Sequence, residues 1–238
     1  MMFKHKKKAI VLFCLIAVLV FGLFSNQTLS LFFSQKVWQH KVNSIEKLKN
    51  CSLSGIELDI VYLANKNVFD VYHPPEKSQN LHLKNYLKVL PKNNKHLWLD
   101  FKNLNNTNAE NSLKILSELV KEHELNKNNI IVESDQITLL SSFKTKGFKT
   151  AFYFPQDLSK SSNQNLQSKL ILIKKELKRN KPTYISSKYD KYDLLKKHFP
   201  NEKKLFWFNV YGDNNKLKVR FLLFKILLDE NVDALLIP

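Results

Sequence analysis

The chain has 238 residues, 44% of them apolar, and a net charge of +17. This is enough for one buried core, and two cysteines are too few for a disulfide-stabilised scaffold. The charge comes almost entirely from lysine, whereas base recognition and phosphate clamps favour arginine, so we expect no nucleic acid and predict attraction to an anionic membrane surface.

The N-terminus combines a basic stretch with an apolar segment. Residues 1–8 are rich in lysine, and residues 9–24 are uncharged and rich in Ile, Val, Leu and Phe, which predicts one membrane-spanning helix. By the positive-inside rule, residues 1–34 form a cytoplasmic basic stub and anchor, and residues 35–238 form a domain outside the cytoplasmic membrane. No small-x-small cleavage site follows Phe24, which favours an uncleaved anchor; secretion after cleavage of a signal peptide is the alternative.

Beyond residue 34, short apolar runs alternate with longer amphipathic stretches, a pattern typical of βα units around a parallel sheet. The predicted strands are residues 36–40, 55–61, 96–102, 129–134, 149–154, 182–186, 204–210 and 233–237. The predicted helices are residues 44–50, 81–90, 109–124, 136–146, 165–179, 188–198 and 216–230. The fold class is therefore α/β, a closed (β/α)₈ barrel. A further run, 67–72, follows the second strand too closely for a crossover helix and is predicted to form a hairpin strand.

Acidic side chains mark three of these strands. The period of two in residues 55–61 places Glu57 and Asp59 on the face opposite Leu58 and Ile60, hence towards the barrel interior. Like charges cannot lie buried together without a large desolvation cost, so a bound cation is the natural remedy.

The next two strands extend this acidic set. Asp100 and Lys102 share one face of residues 96–102, and Glu133 lies near the end of residues 129–134. Carboxylates without clustered cysteine or histidine suit Mg²⁺ or Ca²⁺. The alternative is that each acid forms a structural ion pair with one of the many lysines.

Two histidines lie at the ends of predicted strands. His40 closes the first strand and His73 ends the hairpin run. Because an imidazole near its ordinary pKa of about 6.5 can both accept and donate a proton, this pair could act as general base and general acid beside a metal.

Together these residues resemble a known family. His40 after strand one, Glu57-x-Asp59 in strand two, His73 after a hairpin and an acid-x-Lys pair in strand three resemble the glycerophosphodiester phosphodiesterases of the phospholipase-C-like TIM-barrel superfamily. The finer resemblance is to the menorin-type family within it. The four blocks that carry it are His40-Lys-Val-Asn43-Ser44, Glu57-Leu-Asp59, His73-Pro74-Pro75 and Leu99-Asp100-Phe101-Lys102.

The resemblance implies a role for each block. Glu57, Asp59 and Asp100 would bind the divalent metal, and Asn43 and Glu133 are possible additional residues of the site. By the same resemblance, His40 and His73 would be the catalytic acid and base, and Lys102 would bind the phosphate. The implied substrate is a phosphodiester or lipid headgroup, attacked by water or by a neighbouring hydroxyl of the substrate.

The chain departs from the glycerophosphodiesterases at two points: Lys41-Val42 replaces Arg-Gly after the first histidine, and Asp100 replaces glutamate in strand three. Both changes agree with the menorin-type pattern. The leading prediction is a metal-dependent phosphodiester hydrolase at the outer side of the membrane. The alternatives are a non-catalytic barrel that binds a ligand or partner, and a hydrolase of another bond, such as a glycosidic one, that uses two carboxylates without a metal.

Overall fold

A computed structural model describes residues 26–91, 95–160, 163–209 and 217–238. Within these residues, nine strands form one sheet in the order β1-β9-β8-β7-β6-β5-β4-β2-β3, and an additional pairing between β1 and β2 closes it. All pairings around the ring are parallel, and only β3 joins in an antiparallel hairpin. The predicted (β/α)₈ barrel with an extra hairpin strand is therefore confirmed.

The strands are β1 Val37–Gln39, β2 Gly55–Leu63, β3 Val68–Val71, β4 His96–Phe101, β5 Ile130–Ser134, β6 Lys149–Tyr153, β7 Tyr184–Lys188, β8 Lys204–Trp207 and β9 Val232–Ile237. The α-helices are α1 Asn26–Phe32, α2 Ile45–Asn50, α3 Leu83–Lys88, α4 Ala109–Glu122, α5 Ile137–Thr145, α6 Asn163–Asn180, α7 Tyr192–His198 and α8 Leu217–Leu228. Short 3₁₀ turns span Lys127–Asn129, Gln156–Lys160 and Tyr189–Lys191.

Most strands match the prediction to within one residue at each end, and three differ by more. β2 continues to Leu63 rather than ending at residue 61, because its last residues pair with β3. β7 starts at Tyr184 rather than at residue 182, because Pro182 has no N–H for the ladder and Lys181 has a left-handed φ of 47°. β8 ends at Trp207 rather than at residue 210, since its neighbour β9 ends at Ile237.

The barrel interior and the helix-covered outer face each have their own core. The alternation of the strands points a set of bulky and small side chains into the lumen. This inner cluster contains Trp38, Trp98, Ile131, Ala151, Tyr184, Leu205, Ala234 and Leu236. On the outer face, side chains such as Leu58, Ile60 and Phe101 pack against the helices.

Helix α1 packs on the barrel beside α8. Leu29 is buried and belongs to the same apolar cluster as Leu223 and Leu227 of α8. The Arg220 guanidinium donates a hydrogen bond to Asn26 Oδ1 at 2.6 Å. Residues 26–32, which belong to the predicted stub and anchor 1–34, thus contribute to the outer layer of the barrel.

The predicted membrane segment, residues 9–24, lies outside the described residues. Among the parts of the chain that are described, no helix is both long and apolar enough to cross a membrane.

Candidate active site

The register of neighbouring strands aligns three acids in one row. Asp59 of β2 lies opposite Asp100 of β4, and Asp100 lies opposite Glu133 of β5. Glu57 points the same way one pleat deeper, opposite Trp98. All four acids therefore approach the carboxyl end of the barrel, the end at which barrel enzymes carry their active sites.

Glu57 is fixed by the turn that follows β1. Lys41 has a left-handed φ of 53°, and its backbone N–H donates to Glu57 Oε2 at 2.7 Å. His40 Nε2 lies 3.6 Å from the same oxygen. Burial, aided by the charges of Asp59 and Asp100, raises the pKa of Glu57 well above its ordinary value.

His40 sits largely buried at the edge of this group. Burial, reinforced by the positive charge of Lys41, lowers the pKa of His40 to about 4. The imidazole is therefore neutral at neutral pH, with one nitrogen free to accept a proton. Its ring centroid lies 6.1 Å from that of Trp207.

Asp59 is held by Asn43. The Asn43 amide donates to Asp59 Oδ2 at 2.5 Å, and its carbonyl accepts the backbone N–H of Asp59 at 2.9 Å. Since Asn43 does not itself line the cleft, its part in this arrangement is to orient the carboxylate.

Lys102 bridges two of the acids. Its ammonium lies 2.7 Å from Asp59 Oδ1 and donates a short hydrogen bond to Asp100. Burial alone would lower the pKa of Lys102, but the Asp100 and Asp59 carboxylates raise it above the usual lysine value. Lys102 therefore carries a fixed positive charge in the cleft.

Glu133 lies in a different environment from the other acids. Trp98 Nε1 donates to Glu133 Oε2 at 2.6 Å, and the Ser186 hydroxyl donates to Oε1. Burial and the charge of Asp100 raise the pKa of Glu133 to about 8, so this carboxyl is mostly protonated at neutral pH. It contributes a neutral hydrogen-bonding group rather than a fourth negative charge.

Glu57, Asp59 and Asp100 fit a cation site. One carboxylate oxygen from each lies within 4.8 Å of the other two. Burial and the charge of Asp59 raise the pKa of Asp100, although Lys102 opposes this rise. Three acids with a single lysine leave negative charge uncompensated, and an oxygen-ligated divalent ion such as Mg²⁺ or Ca²⁺ is the kind of charge that this ligand set accepts.

The structure brings seven of the eight residues singled out in the sequence to one cleft of about 100 Å³. They are His40, Glu57, Asp59, His73, Asp100, Lys102 and Glu133. His73 lies close enough to Asp100 to oppose the rise in the pKa of that carboxyl. Asn43 is the eighth and acts from behind Asp59.

The cleft also contains residues that the sequence analysis did not name as site residues. Tyr153, Asn209 and Lys41 line it together with Trp207. Tyr153 was predictable, because alternation in β6 directs it inward at the end of the strand, two residues beyond Ala151, which pairs with Glu133. Asn209 lies two residues beyond β8, where strand alternation no longer determines the direction of a side chain.

A second, wider cleft of about 780 Å³ adjoins the first and shares His40, Lys41 and Asn209 with it. Polar side chains of α2 and of the segment after β3 line it, among them Lys47 and Glu76. A substrate bound at the acids would have room to extend in this direction.

No protein-family model and no curated protein matches the chain. Solved structures do match. A glycerophosphodiester phosphodiesterase from Parabacteroides distasonis is 17% identical, with a TM-score of 0.58 over 84% of this chain and 91% of that one. A phosphodiesterase from Oleispira antarctica, solved with the product sn-glycerol-3-phosphate, is 12% identical, with a TM-score of 0.58 over 84% and 92% of the two chains.

A glycerophosphodiester phosphodiesterase from Thermotoga maritima is 15% identical, with a TM-score of 0.52 over 84% of this chain and 92% of that one. At these identities the likeness concerns the fold. The chain therefore has the TIM-barrel fold found in glycerophosphodiester phosphodiesterases.

Proposed function

We propose that the chain is a metal-dependent phosphodiesterase that hydrolyses a glycerophosphodiester or a lipid headgroup at the outer side of the cytoplasmic membrane. The observation that carries the proposal is the convergence of Glu57, Asp59 and Asp100 within 4.8 Å of one another, at the mouth of a barrel of this fold. A phosphodiesterase with the same fold was solved with sn-glycerol-3-phosphate, which supports a substrate of this class.

Glu57, Asp59 and Asp100 would hold the divalent ion, Mg²⁺ or Ca²⁺. When bound, such an ion polarises the phosphoryl oxygens and offsets the charge of the transition state. The carboxylates are already oriented for this role, because the Lys41 N–H holds Glu57 and the Asn43 amide holds Asp59.

The other residues of the cleft have separate tasks in this proposal. His40 is neutral at neutral pH and accepts the proton of the attacking hydroxyl. His73, on the same cleft, returns a proton to the leaving alkoxide. Lys102 keeps its charge and contributes to binding the anionic phosphate.

We also propose that the protein is of the menorin type and is anchored by residues 9–24, with the barrel outside the membrane. The menorin pattern is supported by the His40-x-x-Asn43-Ser44 block, because Asn43 has a defined role in holding Asp59. The anchor is supported by the uncharged run that follows the basic residues 1–8.

Turnover of the full chain in detergent micelles tests the proposal. The substrates are bis(p-nitrophenyl) phosphate, glycerophosphocholine and glycerophosphoethanolamine, each with Mg²⁺, Ca²⁺ or Mn²⁺ and with a chelator. We expect metal-dependent hydrolysis that falls by about 100-fold or more in His40→Ala and in Asp59→Ala. Asp193→Ala, which removes a well-exposed carboxylate on α7, is the matched control and should retain activity.

Two results would count against a metal-dependent phosphodiesterase. Turnover that persists in a chelator, or in Asp59→Ala, would show that hydrolysis does not depend on a metal held by Asp59. A wild-type chain that is folded and binds metal yet hydrolyses none of these esters would favour the non-catalytic binding barrel.

A further inference from the structure

The solvent-facing side of α8 differs in chemistry from that of α4. Its exposed side chains are three large apolar groups and two lysines: Leu217, Lys218, Phe221, Lys225 and Leu228. For comparison, the exposed side chains of α4 are all polar: Glu110, Asn111, Lys114, Glu118, Lys121 and Glu122. Helix α8 therefore presents an apolar and basic face where α4 presents a mixed-charge one.

The apolar side chains of α8 form one continuous stripe. At 100° per residue, Leu217, Phe221 and Leu228 lie within about 40° of one another around the helix axis. Their exposed fractions are 44%, 52% and 62%. The stripe runs the length of the helix, about 17 Å.

Helix α1 extends this face. Leu31 and Phe32 are 77% and 67% exposed, although Leu29 of the same helix is fully buried. The two helices are joined by the Arg220–Asn26 hydrogen bond and by an edge-on contact of Phe33 with Phe224, with ring centroids 5.6 Å apart. Neither helix contains an acidic residue.

The position of the chain before α1 identifies what covers this face. The apolar segment 9–24 ends two residues before Asn26, a distance of at most about 7 Å along the backbone. Since Asn26 accepts a hydrogen bond from Arg220 of α8, a membrane that holds this segment lies close to α8. Helices that lie in a membrane interface combine bulky apolar side chains with lysine, which is the composition seen on α8.

We propose that α1 and α8 form a membrane-docking face, and that its partner is the anionic bilayer in which the chain is anchored. The apolar side chains enter the interface, while Lys218 meets the lipid headgroups. Lys225 lies 2.8 Å from Asp193 Oδ1 of α7 and is paired with that carboxylate. This inference rests on the proposed anchor but not on the proposed hydrolysis.

Docking through α8 also orients the barrel. Because the stripe runs along α8, the barrel lies with its side on the bilayer. Helix α8 follows β8, whose end carries Trp207 into the candidate active site. The barrel axis then runs along the membrane surface, and the mouth opens sideways with its α8 edge nearest the bilayer.

Spin-label accessibility on the full chain tests this face directly. In a Cys14→Ser, Cys51→Ser background, single labels are placed through Leu31→Cys, Phe221→Cys and Leu228→Cys. Lys114→Cys on α4 and Ile171→Cys on α6 are controls; Ile171 is 65% exposed and apolar but two helices away from α8. Each protein is reconstituted in vesicles of phosphatidylglycerol and phosphatidylcholine, and circular dichroism verifies the fold.

We expect labels on α1 and α8 to be accessible to oxygen dissolved in the bilayer and to lose accessibility to an aqueous nickel chelate, relative to the labels at 114 and 171. The loss should disappear in a detergent that strips the lipid. If the chain stays in the vesicles but the labels at 31, 221 and 228 remain accessible to the nickel chelate, the docking face is wrong and the anchor is not affected.

Two other occupants of the face give distinct results. Labels that remain protected in detergent would mean that residues 9–24, or a second copy of the chain, cover the face, and dipolar broadening between labels would identify the copy. Either result overturns the proposal. If an alkaline wash removes the chain from the vesicles, both the anchor and this inference are wrong. None of these outcomes affects turnover in micelles, which tests the proposed hydrolysis separately.

Discussion

Asn43 makes two hydrogen bonds to Asp59. Its side-chain amide donates to the Asp59 carboxylate at 2.5 Å, and its side-chain carbonyl accepts the Asp59 backbone N–H at 2.9 Å. These contacts join the loop after β1 to the second strand, which carries the candidate metal ligands Glu57 and Asp59 on its inner face. A polar residue that does not line the cleft thereby determines the direction of one that does.

We predict that Asn43→Ala weakens the affinity for a divalent ion by about 10- to 100-fold, because a ligand loses the partner that orients it. Isothermal titration calorimetry of the full chain in micelles measures the affinity. Ser44→Ala is the matched control, since Ser44 caps α2 by accepting the Lys47 N–H at 3.2 Å and does not contact Asp59. Equal losses in both variants would attribute the effect to displacement of the loop.

A second prediction concerns Glu133 and the pH dependence of stability. Its pKa is about 8 in the folded chain and about 4 when unfolded. Between these pH values the folded state retains a proton that the unfolded state releases. This carboxyl therefore lowers the free energy of unfolding as pH rises from about 4 to about 8.

Glu133→Gln removes this contribution and keeps an oxygen to accept the Trp98 N–H. The melting temperature of the wild type should therefore fall relative to that of Glu133→Gln as pH rises from 5 to 8. If the melting temperatures of the two proteins change equally with pH across that range, Glu133 is not protonated in the folded chain.

Asp229, far from the candidate site, should affect stability in acid. Burial alone would raise its pKa, but hydrogen bonds from the Asn231 backbone and from Tyr192 and Lys196 lower it to about 2. A folded-state pKa below the unfolded value stabilises the protein above pH of about 4, and this stability is lost as pH falls towards 2.

We predict that Asp229→Asn lowers the free energy of unfolding at pH 6 by about 1 to 3 kcal/mol and flattens its decline between pH 4 and 2. Urea titrations at several pH values measure both effects. Asp193→Asn, which removes an exposed partner of Lys225, should cost less than about 1 kcal/mol. A steeper acid decline in Asp229→Asn than in the wild type would refute the assigned direction.

The sequence predicted the barrel because its strands and helices have distinct hydrophobic periods. The alternation of Glu57 and Asp59 with Leu58 and Ile60 was enough to direct both acids inward. The hairpin was predictable from the short gap before β3, which leaves no room for a crossover. These features depend on local pattern and chain length alone.

Other features depend on contacts between distant segments, which local pattern does not encode. The placement of Lys102 between Asp59 and Asp100 depends on how a side chain turns at the end of β4. The packing of α1 on α8 joins residues 194 positions apart in the chain, Asn26 and Arg220. The protonated state of Glu133 needs the burial that only the closed barrel provides.

Gly55 packs directly against the Trp38 indole in the barrel interior. A Cβ at this position would lie 2.2 Å from Trp38 Cδ2, and the Trp38 ring is itself stacked on His96 with centroids 5.1 Å apart. We predict that Gly55→Ala lowers the free energy of unfolding by about 1 to 3 kcal/mol through overpacking, measured by urea denaturation.

The double variant Gly55→Ala, Trp38→Phe separates overpacking from other causes. If the clash with the indole is responsible, the double variant should be more stable than the sum of the two single losses implies. Strictly additive losses would show that Gly55 is needed for a different reason.

The central claim is that Glu57, Asp59 and Asp100 form a centre for a divalent cation, and direct titration of the full chain with Mg²⁺, Ca²⁺ and Mn²⁺ tests it most directly. We predict saturable binding of a single ion that is lost in Asp59→Asn and in Asp100→Asn but retained in Asp193→Asn, whose carboxylate is well exposed on α7. A folded wild type that binds none of these ions, or that binds them equally well without Asp59 and Asp100, would contradict the account.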